Sequence, residues 1–207
     1  MKTLVTACAA LPVCLLAASA SGHNYVMPTL APAGFVHDIV MRVPHGCKGS
    51  PVNKVRIKIP EGVYRVSVEH REDWDVEVKM RQVDPPIVVE AGREITETVD
   101  QISWSNPKYV LPPDRIGEFR FRAMLPNEPG RVLFFKTLND CEEGTDYYVD
   151  VPEEPLDLRD PKFHEDFWDL MSATATPAPY MILVKPERPQ YPWEWKTDAD
   201  KPLPEND

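Results

Sequence analysis

An all-β antiparallel sandwich is the fold class predicted for this chain, and three observations predict it. Apolar residues recur at every second position in several short runs, turn residues punctuate those runs, and no helix-period stretch separates them. Period-2 runs are strands with one buried and one wet face. Helices between them would have indicated a parallel βαβ sheet instead.

Taken in order, the chain opens on a secretion signal. Lys2 supplies the basic region, Leu4 to Leu16 is the apolar region, and Ala18-Ser19-Ala20-Ser21-Gly22 is a small-residue cleavage zone. The apolar run falls short of the roughly 20 residues that a membrane-spanning helix needs. Residues 1–22 are therefore assigned as signal peptide. Cleavage after Gly22 leaves His23 at the N-terminus; cleavage after Ala20 leaves Ser21-Gly22-His23. Either end chelates Cu(II), through amine and imidazole in the first case and through amine, two amides and imidazole in the second.

Residues 35–152 read as β structure. Val55, Ile57 and Ile59 alternate with Arg56 and Lys58; Trp74, Val76, Val78 and Met80 alternate with Asp75, Glu77 and Lys79; Phe119, Phe121 and Ala123 alternate with Arg120 and Arg122. Each run predicts one buried face, with Trp74 and Trp104 in the core. Pro60-Glu61-Gly62, Asn106-Pro107, Asn127-Glu128-Pro129-Gly130 and Glu143-Gly144 mark turns. Beyond an acidic connector, Asp160-Pro161 predicts the start of a short helix carrying Phe163, Phe167, Trp168 and Met171. Ala173 to Pro179 is a small-residue loop, and Tyr180 to Val184 a last strand. Residues 185–207 form a Pro-rich charged arm whose Tyr191, Trp193 and Trp195 are expected to pack on the sandwich. The 23 prolines suit loops and edge strands.

The formal charge is −10, and removal of Lys2 with the signal takes it to −11. Such a surface disfavours nucleic acid and anionic membranes as partners. With no second apolar span, the processed chain is expected to be secreted or periplasmic and not to cross a membrane. Cys8 and Cys14 leave with the signal. Cys47 and Cys141 form an even pair in an oxidising compartment, for which a disulfide is the default and a soft-metal thiolate site the rival.

An ordered set of segments resembles the YcnI-like copper-binding domain family. It comprises His23, Val43-Pro44-His45-Gly46-Cys47-Lys48-Gly49-Ser50-Pro51 and Val55-Arg56-Ile57-Lys58-Ile59-Pro60-Glu61-Gly62, followed by Trp74 and Ile102-Ser103-Trp104-Ser105. Gly117-Glu118-Phe119-Arg120-Phe121, Cys141-Glu142-Glu143-Gly144 and Pro177-Ala178-Pro179 complete it. The resemblance implies an immunoglobulin-like sandwich over residues 23–184 that binds one Cu(II). The metal is expected in a brace made by the His23 amine and imidazole, joined by Glu118. The family's metal-adjacent tryptophan falls, by register against Pro152, on Tyr148. Glu118 alternates with Phe119, so it faces away from the apolar side of its strand. The bland reading makes it a surface charge paired with Arg120 or Arg122, and makes His45 a support for the turn around the disulfide.

The expected function is extracytoplasmic Cu(II) binding for buffering, trafficking or delivery, with a copper acceptor or a membrane copper transporter as partner and no catalysis. Two alternatives stand beside it. One is an adhesion or interaction module in which His23 is incidental. The other is a copper monooxygenase, disfavoured because its brace needs a second histidine and a flat aromatic face.

Overall fold

The structure, a computed structural model, describes residues 22–89, 92–106, 108–191 and 194. The signal segment, Cys8, Cys14, Trp193 and Trp195 lie outside the described residues. Among the described residues the chain forms twelve strands and one helix. A four-stranded sheet runs β1 (Tyr25–Met27), β3 (Val36–Val43), β8 (Gly117–Met124), β5 (Tyr64–Val68). A five-stranded sheet runs β11 (Thr145–Tyr148), β10 (Thr137–Cys141), β4 (Val52–Lys58), β7 (Glu94–Ser105), β6 (Asp75–Val88). A smaller sheet joins β2 (Leu30–Pro32), β12 (Tyr180–Val184) and β9 (Val132–Phe134). Of the described strand pairings only β2 with β12 is parallel.

The core is the product of the alternation. On β3 and β8, Ile39 pairs with Phe121 and Met41 with Phe119; on β4 and β7, Val55 pairs with Trp104 and Ile57 with Ile102. All eight are buried in one cluster. Trp74 and Trp104 both contact the Phe119 ring, at centroid distances of 5.1 and 5.5 Å. Both tryptophans therefore belong to the core, as the strand patterns predict.

Cys47 and Cys141 are disulfide-bonded, with Cα atoms 6.0 Å apart. The bridge is aimed by the tight turn Cys47-Lys48-Gly49-Ser50. Lys48 and Gly49 both have positive φ, 48° and 91°, and the Ser50 amide donates to the Cys47 carbonyl at 2.8 Å. That is the backbone of a type I′ turn, which explains a glycine at 49. Gly46 has a different reason: a Cβ there would sit 1.9 Å from the Ser50 carbonyl oxygen.

Two expectations are revised and one is met. The β6 run does not bury a face: Trp74 is buried, but Val76, Val78 and Met80 are exposed because β6 is an edge strand and nothing described covers that row. The helix α1 (Phe163–Ala173) forms where predicted, yet has no buried residue; Phe167 packs edge-on against Tyr180 while Trp168 projects outward. Strands β1 and β2 precede the segment read as β structure. The arm touches the sandwich through Gln190, whose side-chain amide both accepts from the Val36 N–H and donates to its carbonyl, each at 2.9 Å.

Candidate metal centre

His23 sits just before β1, the edge strand of the first sheet, and is held where that edge meets the end of β11 in the second. Its neighbour Asn24 fixes it. The Asn24 and Asn139 side-chain amides exchange two hydrogen bonds, 3.0 and 3.1 Å, and both residues are buried. This reciprocal pair ties the segment leading into β1 to strand β10, and it was not anticipated from the sequence.

The His23 imidazole is exposed, and its Nε2 lies 3.1 Å from the Ala175 carbonyl oxygen. A carbonyl can only accept, so Nε2 carries the proton. A neutral ring then presents Nδ1 as its lone-pair nitrogen. Nδ1 is the ring nitrogen that closes a compact chelate with an α-amine on the same residue. The loop bearing Ala175 is itself braced: Asp150 accepts from the Thr174 hydroxyl and from the Thr176 hydroxyl at 2.5 Å. These bonds, Thr174 first, hold the Asp150 carboxyl below the usual carboxylate range.

Tyr148 is brought to His23, its ring centroid 6.1 Å away in an edge-on arrangement. It is buried, and burial, assisted by the charge of Asp146, pushes its phenol up to about 12. Tyr148 is thus a neutral aromatic wall. A cleft of about 470 Å³ adjoins it, lined by His45, Lys48, Asp146, Tyr148 and Ala175 among others.

Glu118 is placed apart. Across the first sheet Tyr25 pairs with Arg42 and Arg42 with Glu118. Glu118 therefore lies two strands, about 10 Å, from β1, level with Tyr25 rather than His23. It faces outward as the alternation requires, but both oxygens are taken, one by Arg42 at 2.5 Å and the other by Arg120. Arg120 first, then Arg42, lowers its carboxyl below the ordinary range. Arg120 is one of the two partners that the surface-charge reading offers; the second observed partner is Arg42, while Arg122 faces Asp38. A ligand role for Glu118 would have to share an oxygen with one of these arginines or displace it. Among the described residues, no three His, Cys, Asp or Glu side chains cluster where a metal could be held.

His45 supports the disulfide turn, as expected, with its Nδ1 2.8 Å from the Gly46 carbonyl. Its other nitrogen, Nε2, contacts the carbonyl of Gly22.

The domain of unknown function DUF1775 matches residues 23–164, from His23 into the first turn of α1. The chain belongs to this family. The YcnI-like resemblance read from the sequence points to the same DUF1775 domain. A crystal structure of an uncharacterised Nocardia farcinica protein, described as having an immunoglobulin-like fold, aligns with a TM-score of 0.52 at 15% identity. That alignment covers 79% of this chain and 99% of the other, and it supports an immunoglobulin-like fold for this DUF1775 protein. A putative membrane-anchored protein from Corynebacterium diphtheriae aligns over 79% of this chain and 35% of its own, with a TM-score of 0.38 at 7% identity. A comparison with curated proteins returns no match.

Proposed function

We propose that this DUF1775 protein is an extracytoplasmic Cu(II)-binding protein, and that its metal is held by His23 once the signal is removed after Gly22. The observation that carries this reading is the hydrogen bond from His23 Nε2 to Ala175. It selects the tautomer whose Nδ1 is free to bind, and it orients a ring that would otherwise be a loose terminal side chain. Metal-ligating histidines usually donate their remote ring N–H to a carbonyl or carboxylate in this way. The buried Asn24–Asn139 pair adds rigidity one residue away.

Bound copper would supply a redox-active Lewis acid at this corner. The chain's own contribution is nitrogen ligation at His23, shielding by Tyr148, and a carbonyl that keeps the ring in one tautomer. Nitrogen donors suit Cu(II) better than Cu(I), which favours sulfur. The role proposed is buffering or delivery to an acceptor, without catalysis.

The test is titration of the processed protein with Cu(II), monitored by electron paramagnetic resonance. One type-2 site is expected in wild type, and its spectrum should change when a residue is added before His23, because the amine then no longer belongs to the histidine. An unchanged spectrum in that extended variant removes the proposal. The interaction-module reading rests on the exposed Val76, Val78 and Met80 row of edge strand β6; it would be favoured by copper affinity no greater than that of a generic peptide.

A further inference from the structure

We infer that the free edge of β6 pairs with the same edge of a second copy of this chain, antiparallel, about a two-fold axis at Val78. Neither copper nor the His23 corner takes part.

β6 is the last strand of the five-stranded sheet, so the backbone groups on its outer side meet no strand among the described residues. The first sheet ends at β5, which lies against β7, and β6 overhangs it. Val76, Val78 and Met80 therefore share a face with Trp104, Ile102 and Val99 of β7, all buried, yet are themselves 38%, 41% and 50% exposed. An edge of this kind invites another chain unless charge or proline guards it. Pro85 and Pro86 end the pairable stretch. Before them, the charges match the edge to itself instead of guarding it.

Asp75, Glu77, Lys79 and Arg81 alternate with the apolar row and so occupy the other face. Antiparallel pairing about Val78 sets Val78 against Val78 and Val76 against Met80 on one face. On the other it sets Glu77 against Lys79 and Asp75 against Arg81. Every cross-strand pair is then apolar with apolar or acid with base. Nearby registers fail. Moving the axis one residue sets Glu77 or Lys79 against itself, and moving it two sets Asp75 against Glu77 or Lys79 against Arg81. Parallel pairing in register stacks like charge on like throughout. Within the sheet, the β7 partners of Glu77 and Lys79 are the uncharged Ser103 and Gln101, so the neighbouring strand answers neither charge. Arg81 is already held by the Ile59 and Pro60 carbonyls and Asp100. The two Glu77–Lys79 pairs, one on each side of the axis, therefore set the register. Such an isologous contact uses up both β6 edges and stops at two copies.

The experiment is sedimentation velocity on the copper-free processed protein at low salt, over a concentration series reaching about 0.1 mM, high enough to reveal micromolar association. Wild type is expected to pass from one chain to two. Val78→Lys, which puts like charges on the axis, is expected to stay monomeric. Glu77→Lys and Lys79→Glu should each weaken association about tenfold, and combining them should recover it, since acid again faces base. A wild-type monomer throughout the series overturns the proposal and leaves the edge to a different chain. A dimer that persists in Val78→Lys, or that the combined exchange fails to recover, overturns it too. Should Val78→Lys fail to fold, the two charge reversals and their combination decide alone.

Discussion

Tyr148 stands beside His23 with its phenol pushed up to about 12, against about 10 for an unfolded tyrosine. The folded value is the higher one. The associated stability is therefore present in full below pH 10 and is lost as pH rises towards 12. Two units correspond to roughly 2–3 kcal/mol. Denaturant midpoints are expected to fall over that window in wild type and to fall less in Tyr148→Phe. Asn24 acts differently. Asn24→Ala leaves the Asn139 amide buried and unpaired, at a cost of about 1–3 kcal/mol. The double variant with Asn139→Ala should cost less than the two singles added, measured as a mutant cycle by urea unfolding. The closeness of His23 and Tyr148 was legible through the family resemblance, which sets both at one corner. Asn139 was not, because a buried amide partner 115 positions away leaves no local signature. Nor was the capture of Glu118 by Arg42, which depends on cross-strand register. Peroxide release under ascorbate separates a copper-binding protein from a copper oxygenase, and none above that of free Cu(II) is expected.

The elements differ in how far their alternation predicts burial. β4 and β8 obey it, since another sheet covers their apolar face. Residues of β6 carry the same pattern, but edge position leaves Val76, Val78 and Met80 in solvent. Period-2 runs report a face, not what lies over it. Val78→Thr should therefore change stability by less than about 0.5 kcal/mol, while Ile102→Ala in the neighbouring β7 should cost about 2–5 kcal/mol; chemical denaturation of each variant checks both. Helix α1 was legible from its Asp160-Pro161 start, and the structure shows the reason: Asp160 accepts from the Lys162 amide at 2.8 Å. Its apolar residues do not make it a core element, since Phe167 reaches only Tyr180 and Trp168 stays out. β1 was missed because three residues beside a cis Met27-Pro28 bond are too few to show a period.

At the scale of the whole molecule, one covalent link joins positions 94 apart in sequence. Loop-closure entropy assigns such a bridge about 4.6 kcal/mol, with measured values often lower. Reduction, or the Cys47→Ala/Cys141→Ala pair, is expected to lower the unfolding midpoint accordingly in calorimetry. The two half-cystines also have telling neighbours. Cys47 follows His45 by two residues, and Cys141 follows Asn139 by two, so the bridge stands behind both the turn that aims His45 and the amide pair that anchors Asn24. On the copper reading proposed above, loss of the bridge is expected to loosen the segment that carries His23, measured as weaker Cu(II) binding by the Cys47→Ala/Cys141→Ala pair.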